Sequence, residues 1–208
     1  MDRRLLLNLM GLAPLTLISS KIPSYDNPIT DTLIKRWRGS KAYTLAVLEA
    51  MPADHIEYVP SKEQMSFAQH FMHIGYTNNM YLGVLLDSKT YPEVDVLMQA
   101  EFFITPPDSI NLFQQDFLEK REAKANKELV SKYVIDTFDY VLSSLAKLND
   151  DILVKGGNKE KPWFLAGHTN LDLILRGESH TAHHRAQAIA YLRMNGIRPP
   201  GYSKNNTF

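Results

Sequence analysis

The chain contains no cysteine, which removes disulfides, thiolate zinc sites, iron–sulfur clusters and cysteine nucleophiles together. A metal bound here has to be held by imidazole and oxygen ligands. The same absence is silent on redox compartment, because a cysteine-free chain is stable on either side of a membrane. Net charge is absent as well: 23 Lys and Arg balance 23 Asp and Glu. Without a general positive field there is little to hold a phosphate backbone, so nucleic acid is not expected as a principal partner. No strand-like alternation is sustained, no repeat of twenty to fifty residues recurs, and there is no low-complexity tract. No apolar run is long and uninterrupted enough for a stable membrane span. What remains is 208 residues, 44% hydrophobic and 22% charged, the profile of one globular domain with a real core.

The N-terminus stands apart. Met1-Asp2-Arg3-Arg4 precedes the apolar run Leu5 to Leu15, and Ser19-Ser20 follows, the order of the positive and hydrophobic regions of an export signal. The paired arginines resemble a twin-arginine signal, with Leu6 and Asn8 where Phe and Lys are usual. No A-x-A cleavage site follows, and an apolar helix packed on a cytoplasmic domain is the alternative. Residues 1–28 are therefore expected to be an N-terminal segment and linker, and 29–208 the folded domain.

Thr30 or Asp31 is placed to cap a helix running to about Ala50, with Leu33, Ile34, Trp37, Tyr43, Thr44, Val47 and Leu48 as its apolar stripe. A second helix is expected from Ser66 to Leu86, carrying His70 and His73. Between Asp87 and Pro107 the pattern weakens into a long crossover with a short helix around Val94 to Phe102. A third helical stretch covers Asp108 to Leu148, broken near Lys124 to Asn126, with Leu129, Tyr133, Thr137, Tyr140, Val141 and Leu145 inward. The fourth, Asn170 to Asn195, is bounded by the capping pair Thr169 and Asp172, by Gly196, and by Pro199-Pro200. The expected architecture is all-α, a four-helix bundle with a long crossover between its second and third helices.

The fourth helix sets His180 and His184 one turn apart, where Cβ atoms lie about 5 to 6 Å from each other and two imidazoles can share a cation. The pair falls on a stripe with Leu173, Gly177, Ala188 and Tyr191, and Gly177 leaves space one turn below. Burying two neutral imidazoles is costly unless their nitrogens find partners, and a metal ion supplies one to each ring. An isolated H-x-x-x-H pair more often serves as hydrogen-bonded or exposed histidine. His180 is followed by Thr181, so the H-E-x-x-H metalloprotease pattern does not apply, and His183 lies off the pair's face. Further ligands are offered by His70 and His73 on the second helix.

The segment Ser66-Phe67-Ala68-Gln69 leading to His73, followed downstream by His180-x-x-x-His184-x-x-Gln187-x-x-x-Tyr191-Leu192-Arg193-x-x-Gly196-x-x-Pro199-Pro200, resembles the DinB-like family. The resemblance covers about residues 29–201. It implies a metal triad of His73, His180 and His184, with nickel or zinc as the divalent ion. Two departures stand out: Ala186 replaces a glycine common before the family's glutamine, and His70 adds an imidazole. The resemblance ranks His73 above His70, yet both, at i and i+3, can approach a common site.

Three neutral imidazoles leave a divalent cation its full charge and open positions for chemistry. The resemblance implies a small-molecule substrate, in a thiol S-transferase using a low-molecular-weight thiol or in a metal-dependent hydrolase. Glu178 lies about 200° around the helix from His180 and is poorly placed as a base. Tyr191, Asn78 and Thr77 are candidates to line the pocket, or to pack beside it. Trp37, Trp163 and Phe164 read as core aromatics, Arg185 and Arg193 as solvated or ion-paired, and Lys120 to Lys124 as a mixed-charge helix surface. A reading of a different class is a non-catalytic, stress-related metal-binding bundle, a homodimer through exposed helix faces.

Overall fold

The computed structural model describes residues 27–86, 91–107, 122–155 and 167–202. The expected export segment, Trp163, Phe164, and Lys120 with Arg121 lie outside the described residues. Four long helices dominate: α1 (Pro28–Ala50), α2 (Phe67–Leu86), α4 (Ala123–Leu145) and α6 (Asn170–Met194). Short helices α3 (Val94–Met98) and α5 (Asp150–Val154), and a 3-10 turn at Ala53–His55, sit between them. No strand occurs among the described residues, and no described helix is long and apolar enough to cross a membrane.

Among the long helices, α1 and α2 each pack against both α4 and α6. Their shared interior holds Trp37, Phe71, Ile74, Val134, Phe138, Leu173 and Leu192, all essentially inaccessible. Trp37 meets the edge of Phe138 at 5.9 Å, which makes it the core aromatic expected. α2 is the most enclosed element, buried at every residue from Phe67 to Val84. α4 and α6 flank it, and the crossover covers what they leave. Asn79 fastens that crossover, donating to the Phe102 carbonyl (3.1 Å) and accepting from the Ile104 N–H (2.7 Å). Gly83 admits the Phe102 ring: a Cβ there would stand 1.9 Å from it. A helix enclosed on all sides has no polar face to keep wet, so α2 can carry apolar and histidine residues in every direction.

Local chemistry explains where the helices begin. Ser66 and Gln69 form a capping box on α2: the Ser66 N–H donates to Gln69 Oε1 (2.7 Å) and the Gln69 N–H to Ser66 Oγ (3.1 Å). On α6, Thr169 Oγ1 accepts from the Asp172 N–H at 3.1 Å, and Gly196 leaves the helix at φ +71°, as the sequence predicted. α1 departs from expectation. It starts at Pro28, with proline in the first turn where no N–H is needed, so neither Thr30 nor Asp31 is its cap. The Asp150 carboxylate takes that role from 120 residues away, accepting from the N–H groups of Ile29 (3.0 Å) and Thr30 (2.9 Å) and from Thr30 Oγ1 (2.9 Å).

The helix α4 begins at Ala123 with Glu122 as its N-cap, within two residues of the break expected near Lys124 to Asn126, and the expected helical stretch over residues 108–121 lies outside the described residues. The Asn126 side chain is buried and donates to Glu57. Of the predicted inward set, Tyr133, Thr137, Val141 and Leu145 are buried, Tyr140 is half-buried and Leu129 is exposed. Val130, Val134 and Phe138 supply the core contacts that Leu129 does not. The short crossover helix ends at Met98, earlier than Phe102.

Candidate metal centre

The capping box fixes where α2 begins, and so carries His70 and His73 round to the face that meets α6. One ligand atom each from His73, His180 and His184 lies within 4.8 Å of the others. The three rings are mutually close, with centroids 4.5 Å (His180–His184), 4.6 Å (His73–His184) and 4.9 Å (His73–His180) apart. His73 and His184 are buried, while His180 is half-buried and gives the group its edge toward solvent. The cluster therefore joins the residues that the resemblance implied, from two helices.

His70 stands behind this group. Its Nδ1 is 2.9 Å from His184 Nδ1, and its Nε2 is 3.3 Å from the Tyr191 hydroxyl. With both nitrogens so engaged, it stands behind the three-histidine group whose ligand atoms converge. The proton positions follow from counting donors. The Tyr191 hydroxyl donates to the Met65 carbonyl at 3.1 Å, since a carbonyl can only accept. Tyr191 Oη must then accept from His70 Nε2–H, which leaves a lone pair on His70 Nδ1. That lone pair accepts from His184 Nδ1–H, and the lone pair of His184 falls on Nε2, on the side facing His180. The relay Met65–Tyr191–His70–His184 thus presents His184 in the tautomer a metal ion requires.

The imidazoles suit a divalent cation on further grounds. His184 Nε2 and His180 Nε2 are 3.1 Å apart. Two nitrogens at metal–ligand distances of about 2.0 to 2.1 Å, subtending 90° to 110°, would be separated by about 2.9 to 3.4 Å. His73 Nδ1 is buried without a partner among the described residues, an arrangement that costs free energy unless something satisfies that atom. Burial, reinforced by the neighbouring imidazoles, holds His70 and His180 at a pKa of about 4 and His184 at about 2. Burial with the nearby His183 holds His73 at about 4. All four rings are neutral near pH 7, as ligands and their supports must be.

The flanking residues divide clearly. Glu178 points away, as its helix angle predicted, and is bound by Arg36 through Nε (2.9 Å) and Nη2 (2.7 Å). The histidine group contains no carboxylate among the described residues. His183 is exposed and pairs with Gln187 at 2.8 Å. Asn78 is fully buried and accepts from Thr181 Oγ1 at 3.1 Å, tying α2 to α6; Thr77 is buried beside it on α2. Space beside Gly177 is taken up by Tyr81, Trp37 and Asn78, which a Cβ would meet at 3.3 to 3.6 Å.

Arg185 overturns its expected role as a solvated or ion-paired surface residue. It is only 7% exposed, and its Nη1 donates to Thr44 Oγ1 (3.0 Å) and Ser40 Oγ (3.1 Å). The signal lay in the spacing Gly177, Thr181, Arg185, a buried stripe beside that of the histidines and turned toward α1.

Comparison with known proteins follows the same lines. A family model of the DinB superfamily matches residues 36–188. A solved structure of a DinB-like protein from Bacillus subtilis is similar with a TM-score of 0.55 and 17% identity, covering 82% of this chain and 96% of that one; the likeness is one of fold. No curated protein matches. The family match spans most of the sequence, and the chain belongs to the DinB superfamily.

Proposed function

We propose that this protein is a metal-dependent enzyme whose divalent ion, nickel or zinc, is held by His73, His180 and His184 within a four-helix bundle, the crossover lying between the second and third long helices. The observation that carries this reading is the convergence of three neutral imidazoles from α2 and α6, with their ligand atoms within 4.8 Å. When bound, such an ion supplies Lewis acidity and lowers the pKa of a thiol or water at its open positions. The chain's own contribution is to orient: the His70–Tyr191 relay holds the His184 ring, and the enclosure of α2 keeps His73 away from bulk water. His180, at the half-buried edge, marks the side from which a small-molecule substrate would enter.

Thiol transfer, with a low-molecular-weight thiol as cosubstrate, is favoured over hydrolysis. Hydrolysis calls for a base beside the attacking water, and the nearest carboxylate in sequence, Glu178, is committed to Arg36. A thiol whose pKa is lowered in place needs no such base. The test is metal analysis of freshly purified protein, followed by thiol-conjugation and ester-hydrolysis screens of wild type and His184→Ala. Metal-dependent thiol conjugation lost in His184→Ala is the expected outcome. A metal-loaded protein with no His184-dependent turnover would instead identify a non-catalytic metal-binding bundle.

A further inference from the structure

A second site lies on the opposite flank of α6 and does not depend on the metal reading. Between α1 and α6 is a cavity of about 260 Å³ whose lining includes Lys35, Arg36, Ser40, Tyr43, Glu178 and Arg185. Arg185 follows His184 by one residue, about 100° around the helix, so it faces α1 and not the histidines.

The charges in this cavity do not balance. Both oxygens of Glu178 are taken by Arg36 in a two-point contact, the strong planar geometry of a guanidinium–carboxylate pair. Arg185 and Lys35 make no direct ion pair among the described residues, and the only carboxylate whose field reaches Arg185 is Glu178, already held by Arg36. For Arg185 the omission is costly, because a guanidinium removed from water loses several kcal/mol of solvation, on the order of what a counter-ion must restore. What it has instead is neutral: Ser40 Oγ, Thr44 Oγ1, a long contact to the Ser40 carbonyl at 3.5 Å, and the Tyr43 ring 4.9 Å below. These engage one nitrogen and one face. The hydrogen bonds of Arg185 use Nη1 alone, leaving Nε and Nη2 without a hydrogen-bond partner among the described residues, and the residue lines the cavity.

Three cations and one carboxylate leave the lining with a surplus of two positive charges. We propose that this cavity binds a small phosphate-bearing ligand, whose dianion matches that surplus and whose oxygens match the free fork of Arg185. Lys35, exposed at the mouth, supplies a second, point-like contact. The volume exceeds that of bare phosphate and leaves room for an organic substituent against Tyr43.

The test is titration of the full-length protein with inorganic phosphate at constant ionic strength, followed by calorimetry and by the side-chain Nε–H resonance of Arg185. Saturable binding is expected. A charge-assisted hydrogen bond contributes about 1.5 to 3 kcal/mol, so Arg185→Gln should weaken binding by roughly ten- to a hundredfold. Lys35→Gln, at an exposed position that leaves the fold intact, should weaken it several-fold. If Arg185→Gln does not fold, the Lys35→Gln affinity and the movement of the Arg185 resonance decide the matter. Absence of saturable binding, an affinity unchanged by Lys35→Gln, or an Arg185 resonance that stays fixed as phosphate is added would each overturn the proposal.

Discussion

Replacing His70 by leucine removes the acceptor that holds His184 Nδ1–H, 2.9 Å away, and takes a donor from the Tyr191 hydroxyl. The His184 N–H then sits unpaired in a buried site, a loss of about 1 to 3 kcal/mol. The ring also loses the contact that fixes its tautomer, so its lone pair is divided between the two nitrogens. Removing a hydrogen bond behind a metal ligand typically lowers affinity about 10- to 100-fold, or about 1.4 to 2.7 kcal/mol. Competition titration of nickel or zinc against a chromogenic chelator measures that change. His70→Gln, which retains an oxygen able to accept from Nδ1–H, should recover part of the loss, whereas a purely space-filling role for His70 would favour leucine equally. Nitrogen NMR of the metal-free wild type adds a check, because the relay requires the His184 proton on Nδ1. Affinity within twofold of wild type in a folded His70→Leu protein, or a proton found on His184 Nε2, would refute the reasoning.

Acid should destabilise the metal-free protein early. Unfolded imidazoles titrate near 6.5, whereas His70, His73 and His180 are held at about 4 and His184 at about 2. As pH falls below about 6.5, the unfolded chain takes up protons that the folded one refuses, so stability is lost between about 6.5 and 4. At pH 5 the loss should be on the order of 1 to 2 kcal/mol for each imidazole, read from urea midpoints at pH 7 and pH 5; equal midpoints would contradict it. Two glycines should respond differently to alanine. At Gly75 a Cβ would meet the Tyr133 ring at 2.7 Å and Thr137 Oγ1 at 2.9 Å, so overpacking of about 1 to 3 kcal/mol outweighs the helix-propensity gain of about 1 kcal/mol. At Gly177 the nearest atom is 3.3 Å away, so Gly177→Ala should be near neutral. Thermal unfolding of the pair checks the order, and a Gly75→Ala protein as stable as wild type would show that α2 and α4 yield more readily than their packing suggests.

Much of this fold could be read from residues that act on their own neighbours. α6 was bounded correctly because Thr169, Asp172 and Gly196 work within one turn of the helix they cap. The triad was legible because i, i+4 spacing on one helix is a local fact and the resemblance supplied His73. The features missed depend on distant partners. Asp150 caps α1 across about 120 residues, so Thr30 and Asp31 looked like caps although the helix starts at Pro28, where proline suits the first turn. The role of His70 could not be separated from that of a ligand, because residue type and spacing do not say which imidazole finds Tyr191 behind it. Arg185 looked like a surface cation because a buried one becomes legible only when the hydroxyls of Ser40 and Thr44 are seen across the helix interface.

X-ray absorption at the metal edge, on protein loaded with one equivalent of zinc, tests the three-histidine centre most directly. The account predicts a coordination shell with three imidazole nitrogens at about 2.0 to 2.1 Å, falling to two in His184→Ala. A shell without imidazole scattering, or one that His184→Ala leaves unchanged, would contradict it.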